Sequence, residues 1–142
     1  MAQYAEFTTE LITGNQLIDS QHKELIGKMN DLIRVCEEGD GKLKAVKTLN
    51  YLEDYTNFHF SQEEALQEQV GYPGLVQHKE KHQEFINTVK ELFEMLEEEE
   101  GPTDAFVAQV NKNVIEWFYR HIQGFDRSVA EYIHLKNNPD LL

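Results

Sequence analysis

Apolar residues return at intervals of three and four along four separate stretches of this chain, and nowhere do they alternate with polar ones over the length of a strand. That rhythm matches the 3.6-residue turn of an α-helix with one buried face. After an N-terminal arm of about seventeen residues, the first stretch carries Leu25, Ile26, Met29, Leu32, Ile33 and Cys36. Asp19 or Ser20 is placed to cap it, because a short side-chain oxygen accepts from the free N–H groups of a first turn. Gly39-Asp40-Gly41 reads as a tight turn. The second stretch carries Leu43, Val46, Leu52, Tyr55, Leu66 and Val70, with Gly71 as its left-handed cap. Pro73 suits the first turn of a third helix, whose stripe is Leu75, Phe85, Val89, Leu92 and Leu96. The acidic run Glu97 to Glu100 opposes the helix dipole, so fraying is expected before Gly101-Pro102. Thr103 or Asp104 can start a fourth helix with Phe106, Val110, Val114, Trp117 and Phe125 on one face. Four amphipathic helices with short connections predict an all-α fold, an antiparallel up-down-up-down four-helix bundle with an N-terminal arm, as one domain over residues 1–142.

Charge narrows the partners. A formal net charge of -13 argues against nucleic acid and against an anionic membrane surface, both of which need a basic patch. No basic and apolar leader opens the chain, and no apolar run approaches the roughly 20 residues that cross a bilayer. Cys36 is the single cysteine, which excludes an internal disulfide and a cysteine-based zinc or iron–sulfur site. A reduced, cytoplasmic compartment fits that usage. At its core spacing Cys36 itself reads as a small buried hydrophobe.

Five of the six histidines continue the apolar stripes instead of the polar faces. His22 precedes Leu25 and Met29 at core spacing, His59 lies between Tyr55 and Leu66, His78 and His82 fill the gap between Leu75 and Phe85, and His121 follows Val114 and Trp117. Glu63 is one turn after His59, and His82 one turn after His78, so each pair shares a helix face. Asp126 follows His121 by five residues, which a regular α-helix would set about 140° apart. That spacing predicts local unwinding or a π-bulge, with Gly124 the obvious place for it. His134 lies outside the set.

Each unpaired buried polar group costs on the order of 1–3 kcal/mol, and an unpaired charge costs more. Seven together would consume most of the roughly 5–15 kcal/mol of net stability a small domain has. Something must bind them. Imidazole with carboxylate suits zinc, iron, copper or nickel. Seven donors exceed one tetrahedral site and point to two metal ions sharing carboxylate bridges.

The segments IDSQHKEL (18–25), HFSQEEAL (59–66), GYPGLVQHKEKH (71–82) and WFYRHIQGFD (117–126) resemble the hemerythrins, and specifically the bacterial hemerythrin-like proteins, over nearly the whole chain. The family pattern is one His in the first helix, His-x-x-x-Glu in the second, His-x-x-x-His in the third and His-x-x-x-x-Asp in the fourth, and every position is filled here. The resemblance implies that His78, His82 and His121 hold one iron ion and His22 and His59 the other. Glu63 and Asp126 would bridge them, together with an oxo or hydroxo group. Three histidines and three bridges complete one octahedral iron, while the second keeps a single vacancy. There O2 would bind reversibly as a hydroperoxide, and small anions such as azide would compete. The resemblance further implies an apolar oxygen pocket over the vacancy, at Leu25, Phe60, Trp117, Phe118 and Ile122. Phe7 stands where many relatives have tryptophan and Gln67 where many bacterial members have methionine, and neither is expected to touch the ligand set.

These implications give an oxygen carrier or store, not an enzyme. A ferritin-like di-iron oxidase or peroxidase would use Glu-x-x-His on two helices. Glu131 and His134 supply only one such pair, near the C-terminus. An oxygen or redox sensor would carry an output module or long coiled-coil linker. Iron storage or detoxification shares the same site, and a protein partner could dock on the acidic face or the arm.

Overall fold

A computed structural model, which describes residues 4–39 and 41–141, folds into four long helices with no strand among the described residues. They are α1 (Gln16–Glu38), α2 (Lys42–Val70), α3 (Leu75–Glu98) and α4 (residues 104–137). Helices adjacent in sequence pack side by side, and α4 closes the bundle against α1. With only a short turn between each pair, the direction reverses every time, as the up-down-up-down expectation requires.

Local chemistry sets the ends. α1 begins earlier than Asp19 or Ser20 would place it. Its cap is Asn15, whose Oδ1 accepts from the Ile18 amide at 3.0 Å. Asp19 instead holds the arm, accepting from the Thr13 amide (2.9 Å), the Thr13 hydroxyl (2.7 Å) and the Gly14 amide (3.2 Å). Ser20 donates to the Leu17 carbonyl. α1 ends at Gly39, in the left-handed region at φ 64°, while Asp40 of the expected turn lies outside the described residues. Gly71 closes α2 at φ 68°. Pro73 precedes α3 instead of entering its first turn, and α3 stops at Glu98, inside the acidic run. Thr103 caps α4, its Oγ1 accepting from the Phe106 amide at 3.1 Å.

The inward face of α2 differs from the expected stripe. Ala45, Leu49, Leu52, Thr56, His59, Phe60, Glu63 and Gln67 are buried, whereas Leu43 is 70% exposed and Val46, Tyr55, Leu66 and Val70 lie half-buried on the flanks. Cys36 is half-buried against the core, and burial pushes its thiol up to about 11.

α4 contains two wide, π-helical stretches, Asn111–Glu116 and Ile122–Asp126. Its buried line is Phe106, Val110, Val114, Phe118, Ile122 and Asp126, each four residues from the last. In a regular α-helix a step of four overshoots one turn by about 40°. Five such steps would carry the line round to solvent. The wide turns absorb that drift and keep it facing inward. Trp117 and Phe125, expected on this line, lie half-buried beside it.

The apolar interior falls into two parts. A large cluster centred on Met29, Leu32, Leu49, Leu92, Leu96 and Val110 fills one part of the bundle, and Ile18, Val129 and Ile133 form a small one. On α1 and α4 the buried histidines and Asp126 fall between those two sets in sequence. The arm packs across α1 and α4. Asn30 grips it from both sides, accepting from the Ala5 amide (2.7 Å) and donating to the Ala5 carbonyl (2.9 Å). The Tyr119 hydroxyl accepts from the Glu6 amide, and Arg127 donates to the Glu10 carbonyl. No helix among the described residues is long and apolar enough to cross a membrane.

Candidate metal centre

The four helices bring His22 (α1), His59 and Glu63 (α2), His78 and His82 (α3), and His121 and Asp126 (α4) to one place, each at most 3% exposed. The donor atoms form two groups. Glu63, His78, His82, His121 and Asp126 make one, and His22, His59, Glu63 and Asp126 the other. In the first group His78 Nε2 lies 2.9 Å from Glu63 Oε1, 3.0 Å from Asp126 Oδ1 and 3.0 Å from His121 Nε2. His82 Nε2 is 3.2 Å from Glu63 Oε1, and His121 Nε2 is 3.2 Å from Asp126 Oδ1. In the second, His22 Nε2 is 2.8 Å from Asp126 Oδ2 and His59 Nε2 is 3.7 Å from Glu63 Oε2. Each carboxylate therefore gives one oxygen to each group.

These spacings are those of a coordination shell. Donors about 2.1 Å from a common centre at octahedral corners sit about 3.0 Å from their neighbours. Several approaches are short without hydrogen-bond alignment. His22 Nε2, His59 Nε2, His82 Nε2 and all four oxygens of Glu63 and Asp126 are buried with no hydrogen-bond partner among the described residues. Lone pairs aimed at shared points, not at one another's protons, account for both facts. The seven residues fit a pair of metal ions.

Electrostatics without metal shows how costly the cluster is. Burial, with Asp126 nearby, raises the Glu63 carboxyl well above its ordinary range. Asp126 resists burial and is held well below its range by the imidazoles of His121, His22 and His78 around it. Burial lowers His59 to about 3 and His82 to about 2, with neighbouring imidazoles adding to the effect. Burial opposes charge on His78 too, but the Asp126 and Glu63 carboxyl groups beside it outweigh that and raise the group to about 9. Asp126 and the imidazoles of His59 and His82 are thus held in the forms that offer lone pairs to a cation.

The α4 spacing resolves as the five-residue interval demanded. The π-helical turn Ile122–Asp126 sets Asp126 one wide turn from His121. Gly124 lies in it, exposed and without positive φ. His134 and Glu131 are exposed and belong to neither donor group.

A second layer of residues escaped the sequence reading. His59 Nδ1 meets Gln21 Oε1 at 2.6 Å, His82 Nδ1 meets Glu64 Oε2 at 2.7 Å, and His78 Nδ1 meets the Gln67 side-chain nitrogen at 2.8 Å. Such partners orient a ligating imidazole and fix which nitrogen keeps the proton. Gln67 therefore does touch the ligand set, contrary to expectation. Its signal was present: Gln67 follows His59 and Glu63 at successive intervals of four.

The expected pocket residues divide by position. The Phe118 ring stands edge-on to His22 at 5.2 Å, on the side of the smaller group. Phe60 stacks on His82 at 3.8 Å and also lies 5.8 Å from His59, so it spans both groups. Leu25 and Ile122 are at most 1% exposed. Trp117 stacks on His121 at 4.5 Å, beside the larger group, and with Lys81, Glu84, Arg120 and Phe125 borders a cavity of about 310 Å³.

Comparison with known proteins agrees with this geometry. The family model described as the hemerythrin HHE cation binding domain matches residues 13–133. A bacteriohemerythrin of Stenotrophomonas maltophilia is 30% identical over 124 residues, covering 87% of this chain and 78% of the relative. One from Campylobacter jejuni is 32% identical, with 86% and 90% covered, and one from Clostridium acetobutylicum is 30% identical, with 87% and 95% covered. A crystal structure of a hemerythrin point mutant superposes with a TM-score of 0.77 at 24% identity, over 92% of this chain and 97% of the other. The chain belongs to the hemerythrin family.

Proposed function

We propose that this protein holds two iron ions and binds O2 reversibly, as a carrier or store in the cytoplasm, not as an enzyme. The single observation that carries the reading is the division of the donors into groups of five and four that share both carboxylates. Ferrous iron bound there would supply the electrons for reversible O2 binding. His78, His82 and His121, with Glu63 and Asp126, would hold one ion. His22 and His59, with the same two carboxyl groups, would hold the other with one protein donor fewer, leaving room there for O2 or a small anion such as azide.

The surrounding residues keep that reaction reversible. Phe118 beside His22, with Leu25, Phe60 and Ile122 buried nearby, excludes water, and water would assist loss of reduced oxygen and leave the irons oxidised. Five imidazoles against two carboxylates supply few anionic oxygens, a balance that supports reversible binding over oxidation of a substrate.

Anaerobic reconstitution with ferrous iron, metal analysis and repeated cycles of air and argon followed by absorbance test the reading. Two irons per chain and a visible band that appears under air and fades under argon are expected. Irreversible bleaching, or turnover of an added reductant, would favour an oxidase.

A further inference from the structure

We propose that Gln67 is a positioning residue for His78: its amide oxygen accepts the His78 Nδ1–H, which commits Nε2 of that ring to a metal ion. The inference rests on the di-iron reading of the centre. Nε2 is the nitrogen turned inward, within 3.0 Å of Glu63 Oε1, Asp126 Oδ1 and His121 Nε2. When Nε2 offers its lone pair to a cation, the neutral ring carries its proton on Nδ1. The group waiting at Nδ1 is the Gln67 carboxamide, 2.8 Å away and 0% exposed.

The amide has two ends of nearly equal size. A half-turn about the bond to the carboxamide exchanges oxygen and nitrogen with little change in packing. An NH2 facing an Nδ1–H would set donor against donor. Oxygen inward makes the bond, and it partners Oε1, which otherwise has none among the described residues. The NH2 then takes the unpartnered position, so the bond to His78 is what holds the side chain.

Backbone geometry fixes where this amide can reach. Gln67 stands in the last turn of α2, and its carbonyl accepts from the Tyr72 amide at 2.9 Å and from the Gly71 amide. The cap that ends the helix thus pins the Cα of the residue that steers His78, on the first turn of α3. Gln21 and Glu64 meet His59 and His82 in the same manner, so three of the five imidazoles are held from behind by side chains. A methionine in place of Gln67 would fill the space and offer no comparable acceptor.

Two variants separate positioning from packing. Gln67→Met removes the acceptor at similar length, and Gln67→Glu keeps it. Iron affinity is read by competition with a chelator, and melting of the metal-free chains is read in parallel. The expected result for Gln67→Met is roughly 10- to 100-fold weaker iron binding with little change in metal-free melting, and for Gln67→Glu recovery to within a few-fold of the parent. Equal affinity in Gln67→Met, or equal losses in both variants, would overturn the inference while leaving the metal centre standing. A parent chain that takes up no iron would remove the di-iron reading and this inference with it.

Discussion

Replacing Gly124 by alanine should stabilise the protein and leave its metal loading intact. The opposite is natural to expect, since Gly124 lies inside the wide turn that aligns Asp126 with His121. Yet its φ is not positive, and a Cβ built at this position meets nothing within 4 Å. The turn therefore asks nothing of glycine that alanine lacks. What glycine brings is excess freedom in the unfolded chain, worth about 0.4–1 kcal/mol when alanine removes it without strain. At about 2.1 cal/mol/K per residue, unfolding a chain of this length has an entropy near 0.3 kcal/mol/K, so the melting temperature should rise by about 1–3 °C. Circular dichroism melts of the metal-free chains, with iron content measured on reconstituted samples, give the answer. A lower melting temperature, or fewer than two irons where the parent holds two, would refute the reasoning and make glycine a requirement of the wide turn.

Ile122→Trp should slow azide and O2 entry while iron content stays at two, and unaltered stopped-flow kinetics would remove Ile122 from the pocket. Glu63→Gln should lower iron loading below two per chain, because an amide bridges poorly. It should also raise the metal-free stability at neutral pH by on the order of 1 kcal/mol, since the buried carboxyl that resists ionisation is gone; a metal-free chain that melts lower would contradict this. Without metal, stability should fall as the pH drops from 6.5 towards 5. His59 and His82 stay neutral when folded and take up protons when unfolded below their ordinary 6.5, each contributing up to about 1.4 kcal/mol per pH unit. Glu63, which keeps its proton in the fold, offsets one of the two above its ordinary 4.5. His78 is protonated in both states below 6.5 and adds no slope there. Urea midpoints at pH 5, 6 and 7 check the sign, and stability that is flat or rising towards pH 5 would count against it.

The sequence disclosed most where the interior is apolar. In α3, Phe85, Val89, Leu92 and Leu96 lie where their spacing put them, because burial of hydrocarbon alone orients that helix. α2 misled for the opposite reason. Its inward line carries Thr56, His59, Glu63 and Gln67, so apolar periodicity marks flanking residues and Leu43, which faces water. The first wide turn of α4 was missed although the interval of four from Phe106 through Asp126 encoded it. That interval becomes visible only when Phe118 and Ile122, not Trp117 and Phe125, are taken as the inward line. Asn15 escaped as a cap because Asp19 is equally suited by type, and only the fold shows Asp19 occupied with Thr13 and Gly14. Gln21 and Glu64 were silent because amides and acids on a helix ordinarily face solvent, whereas Gln67 was marked by its interval of four from Glu63.

Because Glu63 and Asp126 each lend one oxygen to either side, neither half of the centre exists alone. The first ion to arrive would orient both carboxyl groups, displace the proton that burial keeps on Glu63, and so prepare the place of the second. Scarce iron would then sort the population into empty and doubly filled molecules, with few half-filled ones. A metal centre built this way would answer iron supply as a threshold instead of a gradual scale.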